Sequence, residues 1–139
     1  MTIESSVRER VSRLLTAYLG GDDAVDPTET PVAIRAGTAV VHVRLIDAEP
    51  PVVRVFSSLL RRVDSSPELL AEINEINAHL SFARLFWRDG SVLAATELLA
   101  STIDPNELAN ACDVLCDVAD YYDVKLHQRF GGELAFGGD

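Results

Sequence analysis

Between Ser65 and Leu99 the hydrophobic period changes from about 3.6 residues to two, and this change constrains the fold more than any other feature. Ser65 and Glu68 have capping-box spacing, and Pro67 suits the first turn of a helix because its φ is already fixed there. Leu69, Ile73, Ile76 and Leu80 follow at intervals of four, three and four, which stacks them on one helical face. After Leu80 the residues Phe82, Arg84, Phe86 and Arg88 alternate with Ala83, Leu85 and Trp87. Asp89-Gly90 then supplies a tight turn, and Val92 to Leu99 returns as a second strand. An amphipathic helix feeding a hairpin needs a larger sheet and further helices to bury its apolar face.

The remainder of the chain supplies both. Ser6 and Glu9 offer a capping box for a first helix carrying Val7, Val11, Leu14, Leu15 and Tyr18, which Gly20-Gly21 ends. An acidic loop with Pro27 leads to three strand-like runs: Val32 to Arg35, Ala39 to Ile46 and Val52 to Phe56. Tight connections make them an antiparallel meander. Leu59-Leu60 reads as a short link, one turn of helix. Asp104, Pro105 and Glu107 open a last helix whose apolar stripe runs from Leu108 to Leu126, with Asp113, Asp117 and Asp120 opposite. Phe130-Gly131-Gly132 stops it and begins a mobile Gly-rich tail that repeats the triplet at Phe136. The expected fold is α+β, in the order α-β-β-β-α-β-β-α. Residues 1–130 form a single domain with a five-stranded antiparallel sheet and helices mainly on one face, and residues 131–139 form the tail.

A chain of 139 residues can bury one core without disulfides or metal. Cys112 and Cys116 lie one helical turn apart, too far for an unstrained bridge, and read as reduced thiols beside the core. His42, His79 and His127 show no zinc spacing, so no metal is expected, and no phosphate loop or nucleophile motif suggests catalysis or a cofactor. No stretch reaches the length of a membrane span, and the first residues lack the apolar core of a secretion signal. A cytoplasmic location follows as an expectation. The formal net charge of -10 repels nucleic acid and anionic membrane at long range.

That charge is unevenly placed. Alternate strand residues face opposite sides of a sheet, and the sets holding Val32, Ile34, Val41, Val43, Leu45, Val53, Val55, Ala83, Leu85 and Trp87 are wholly apolar. The opposite sets hold Arg35, His42, Arg44, Arg54, Arg84 and Arg88 among Val40, Val52, Phe56, Phe82 and Phe86, with Glu97 the sole acid among strand residues. One face should therefore meet the helices, and the other should be basic and aromatic. Leaving Phe56, Phe82 and Phe86 in water forgoes several kcal/mol, at about 1.5–3 for each large apolar side chain. A second copy, a partner peptide or the tail from Phe130 onward could cover them. The alternative is an ordinary solvated face, with arginine stems over the rings and Glu97 paired to an arginine. Asn74 and Asn77 are read as pinning the helix-to-hairpin turn through backbone hydrogen bonds, and Trp87 as core.

Ile73-Asn74-Glu75-Ile76-Asn77, Phe82-Ala83-Arg84-Leu85-Phe86-Trp87-Arg88-Asp89-Gly90, Ser57-Ser58-Leu59-Leu60 and Ala119-Asp120-Tyr121-Tyr122-Asp123 together resemble bacterial YbjN-domain proteins. These are grouped with the CesT-like peptide-binding chaperones of type III secretion. The resemblance spans nearly the whole chain in element order. It implies a cytoplasmic, often dimeric α+β domain that holds a segment of another protein, with no cofactor and no catalytic residue. The expected function is a non-enzymatic chaperone or adaptor, with Arg44, Arg54, Phe56, Phe82, Arg84, Phe86 and Arg88 as the partner-binding residues. Two other readings compete: single-stranded nucleic-acid binding through the basic-aromatic face, and a regulatory signalling partner.

Overall fold

The computed structural model describes residues 5–21, 25–28 and 30–135. The elements follow the order α1 (Ser5–Leu19), β1 (Val32–Ala36), β2 (Ala39–Ile46), β3 (Val52–Leu60), α2 (Pro67–His79), β4 (Arg84–Arg88), β5 (Ser91–Leu99) and α3 (Pro105–Phe130), with one 3-10 turn at Ala100–Thr102. The α+β fold matches the order expected from hydrophobic period. All strand pairs are antiparallel, and the sheet order is β1-β2-β3-β5-β4.

α3 lies across β1, β2, β3 and β5, α1 packs on α3, and α2 sits against the edge strand β4. Val41, Val43, Leu45, Val53 and Val55 are buried with Leu108, Cys112, Leu115 and Ala119 of α3 and with Val11 and Leu15 of α1. Arg10 ties α1 to the turn before α3 by donating from Nε to the Ile103 carbonyl at 3.0 Å. The N-terminus of α3 carries a complete capping box, with Asp104 and Glu107 reciprocally bonded and Pro105 in the first turn. Cys112 is buried and Cys116 half-buried, and both are free thiols. Burial, with Cys116 and Asp113 nearby, pushes the Cys112 thiol up to about 12.

α3 also grips the first hairpin. The Thr38 amide donates to Asp120 Oδ1 at 3.2 Å, and the Thr38 hydroxyl donates to the buried Asp123 Oδ2 at 2.7 Å. Gly37 is required at this clamp: its φ is +60°, and a Cβ there would lie 2.1 Å from Asp120 Oδ1.

Several local expectations need correction. The N-cap of α2 is Ser66, whose side chain accepts from the Leu69 amide at 3.0 Å, one residue beyond Ser65. Two adjacent serines leave the cap position ambiguous in sequence. Ser6 lies inside α1 and is not its cap. Leu59 and Leu60 do not form a helical turn but end β3, where a register shift between Ser58 and Leu60 lets both leucines be buried. The described part of the glycine-rich ending packs down: Glu133 forms an antiparallel bridge with Arg61, and Leu134 is buried. Gly132 permits this approach, since a Cβ on it would stand 2.8 Å from the Arg61 carbonyl. The second triplet, Phe136-Gly137-Gly138, lies outside the described residues.

Candidate functional site

The sheet separates two environments because each strand alternates. Along β3, Val53, Val55 and Ser57 are buried, while Arg54, Phe56 and Ser58 between them are partly exposed on the opposite side. Registers align these outward residues into rows across strands. His42, Phe56, Ala95 and Arg84 make one row; Arg44, Arg54 and Glu97 a second; Ser58, Leu93 and Phe86 a third.

In the middle of these rows lies an open hollow of about 440 Å³. It is lined by Arg44, Ile46, Arg54, Phe56, Arg84, Phe86, Arg88, Leu93 and Ala95, all from strands. Ala95 of β5 is paired with Phe56 of β3, and Leu93 of β5 with Phe86 of β4. No helix residue contributes to the lining.

Two arginines on this face are held in place. Glu97 accepts from Arg84 Nη1 at 2.9 Å and Nη2 at 3.1 Å, and from Arg54 Nε at 2.9 Å. The hydrogen bonds from Arg84 are the main reason that the Glu97 carboxyl sits below its ordinary range, ahead of those from Arg54. The Arg84 guanidinium also lies 5.5 Å from the Phe86 ring centre, and His42 stacks on Phe56 at 5.4 Å. Both ingredients of a solvated face are therefore present, yet the hollow persists beside them. Among the described residues Arg88 is ion-paired only with the adjacent Asp89, at 3.6 Å and well exposed, and no ion pair engages Arg44.

Six of the seven residues expected on this face, Arg44, Arg54, Phe56, Arg84, Phe86 and Arg88, line the same hollow. Phe82 does not. It precedes β4 with a left-handed φ of 69°, is 88% exposed, and edges a separate groove with Thr96, Leu98, Ala111 and Val114. Strict alternation back from Arg84 would place Phe82 beside Phe86, but the left-handed residue turns the chain before pairing begins. Ile46, Leu93 and Ala95 were absent from the expected set. Their even spacing from Arg44 and Glu97 already puts them on the outward face, and register across strands brings Ala95 and Leu93 beside Phe56 and Phe86.

Asn77 covers part of the hairpin edge. Its side-chain amide donates to the Leu85 carbonyl at 2.9 Å and accepts from the Leu85 amide at 2.8 Å, occupying the outer edge of β4 as a neighbouring strand would. Asn74 is exposed. Trp87 donates from Nε1 to the Val63 carbonyl at 2.8 Å and packs against the core.

Among the described residues no helix is long and apolar enough to cross a membrane. No curated protein matches the chain. Among solved structures, the crystal structure of the ExsC–ExsE complex is similar with a TM-score of 0.67 and 16% identity, covering 84% of this chain and 93% of the other. The Yersinia Pestis type III secretion chaperone SycH, solved with a stable fragment of YscM2, gives a TM-score of 0.56 and 23% identity over 83% of this chain and 95% of the other. At these identities the likeness establishes a shared fold. The family described as T3SS (YopN, CesT) and YbjN peptide-binding chaperone 1 matches residues 5–138. With nearly the whole chain matched in sequence and its fold shared with secretion chaperones, the protein belongs to the type III secretion and YbjN family of peptide-binding chaperones.

Proposed function

We propose that the protein is a non-enzymatic cytoplasmic chaperone or adaptor that holds a peptide segment of a partner protein against its open sheet face, and that it self-associates as a homodimer. The observation that carries this reading is the hollow lined by Ala95, Leu93, Phe56, Phe86 and four arginines, to which no helix among the described residues contributes. Apolar surface of this kind on a sheet is stabilised by a covering partner, and the surrounding guanidinium groups supply directional donors to a peptide backbone or side chain. Family membership agrees with it. The ExsC and SycH structures hold ExsE and a YscM2 fragment respectively, which supports a protein partner.

Changing Arg84 and Phe86 together to Ser tests the reading. Affinity capture from native cells, read by mass spectrometry, should lose its specific partner with the double variant while circular dichroism stays unchanged. Equal capture by both proteins would remove the sheet face from the function. Salt-sensitive retention of single-stranded oligonucleotide by the same face, with no peptide retained, would transfer the assignment to nucleic acid. Sedimentation equilibrium decides the homodimer.

A further inference from the structure

The charges around the hollow say more about its occupant than the apolar lining does. Four arginines face outward here, and Glu97 is the sole carboxylate built into the same rows, in a chain whose total charge is -10. Arg44 stands directly opposite Arg54 across the β2–β3 pair, an unfavourable cross-strand juxtaposition. Glu97 answers Arg54 and Arg84 but has no hydrogen bond to Arg44. Among the described residues Arg88 is ion-paired only with the exposed Asp89. The face therefore retains two incompletely neutralised guanidinium groups, Arg44 on β2 and Arg88 on β4.

These two lie at opposite corners of the hollow. From β2 to β4 the sheet takes three inter-strand steps, and from the Arg44 row to the Arg88 row it takes six residues along β5. At about 4.8 Å per strand and about 3.4 Å per residue, the diagonal is roughly 25 Å, the span of about seven or eight extended residues. Phe56, Ala95, Leu93 and Phe86 fall along it. A second copy seated face to face would set arginines against arginines with only the two Glu97 carboxylates between them, so charge disfavours that occupant.

We propose that this face selects an acidic, extended segment of a partner protein: carboxylates near its two ends reach Arg44 and Arg88, and an apolar side chain at its centre fills the hollow. This rests on the peptide-holding reading above and adds the chemistry of the segment to it. The net acidity of the molecule sharpens the selectivity, because it disfavours non-specific association of an acidic chain while four of its twelve cationic side chains converge on this hollow.

Fluorescence anisotropy with synthetic peptides of about eight residues, the length set by the strand rise, tests it. One carries Asp at both ends and Leu at the centre. A second has Asn for Asp, a third has Lys for Asp, and a fourth has the acidic composition permuted so that Asp is central and Leu terminal. The first should bind about tenfold more tightly than the others at low salt. That preference should disappear in the double variant Arg44→Ser and Arg88→Ser and survive in Arg44→Lys with Arg88→Lys. Equal binding of the Asp and Asn peptides, or tighter binding of the Lys peptide, would overturn the acidic preference while leaving peptide holding intact. Equal binding of the permuted peptide would overturn the diagonal. If none of the four binds and affinity capture also finds no partner on this face, the peptide-holding reading fails with it. A change of oligomeric state in the serine variant, seen by sedimentation, would assign the face to a second copy and overturn the proposal.

Discussion

The two sides of the sheet are made by the same strands, yet they differ in what satisfies them. On the inner side, Val41, Val43, Val53 and Val55 are fully buried against α3 and α1, and the polar Ser57 among them donates its hydroxyl to the Val40 carbonyl at 2.6 Å. On the outer side, Phe56 and Phe86 remain partly exposed, and the charged groups are only partly matched by Glu97. Where α3 and α1 cover these valines, the inner side is complete within the chain. The outer side is not, and that difference separates residues that hold the fold from residues available to a partner.

Leu115 is fully buried on α3 and reaches the strands from the helix side, so Leu115→Ala should destabilise by about 2–5 kcal/mol, measured by urea unfolding. Arg88→Ser on the outer side should change stability by no more than about 0.5 kcal/mol. Comparable losses from the two variants would mean that the outer residues also serve the core.

Asn77→Ala removes both hydrogen bonds to Leu85 and exposes the edge of β4. The expected cost is about 1–3 kcal/mol, with faster hydrogen exchange at the Leu85 amide and a greater tendency to associate through that edge. Unchanged exchange would show that Asn77 is dispensable to the hairpin.

Acid sharpens the contrast because the two sides titrate in opposite senses. Glu97 is held low by Arg84 and Arg54, so its contribution is present above the ordinary glutamate value and is lost as pH falls through the folded value. Asp123, buried between α3 and the first hairpin, is pushed up by burial against the opposing hydrogen bond from Thr38. Its folded state favours the proton, so stability declines as pH rises from the ordinary aspartate value through the raised one. Urea midpoints measured across the acid range should show Glu97→Gln losing stability relative to the parent mainly above the glutamate range. Asp123→Asn should instead remove the decline. Matching pH profiles for both variants would contradict these opposite signs.

A small effect is expected at Phe82. Its ring is solvent-exposed and its backbone left-handed, so Phe82→Gly relieves a strained φ while giving the unfolded chain more freedom. The net change should stay within about 1 kcal/mol, with peptide binding at the hollow unaltered. Weaker binding would bring Phe82 back into the site.

Much of this was readable without coordinates. The shift of period after Leu80, the Asp104-Pro105-Glu107 start and the parity of valines against arginines all survive in the fold, because each is a local or single-strand property. The misplacements at Ser65, Leu59-Leu60 and Phe82 share one feature: a choice between neighbouring caps, a bulge and a left-handed residue each depart from regular periodicity, which alternation along one segment cannot report.

The amino-acid order by itself determined the element types, the apolar stripe of α3 and the separation of basic from apolar strand faces, since periodicity converts directly into side-chain direction. Tertiary structure alone decided which rows those side chains join. The register of β2, β3, β5 and β4 sets Ala95 and Leu93 between Phe56 and Phe86, lays Glu97 between two arginines and leaves Arg44 and Arg88 at opposite corners. A strand knows its own alternation, but its neighbours are chosen by the burial of the whole sheet.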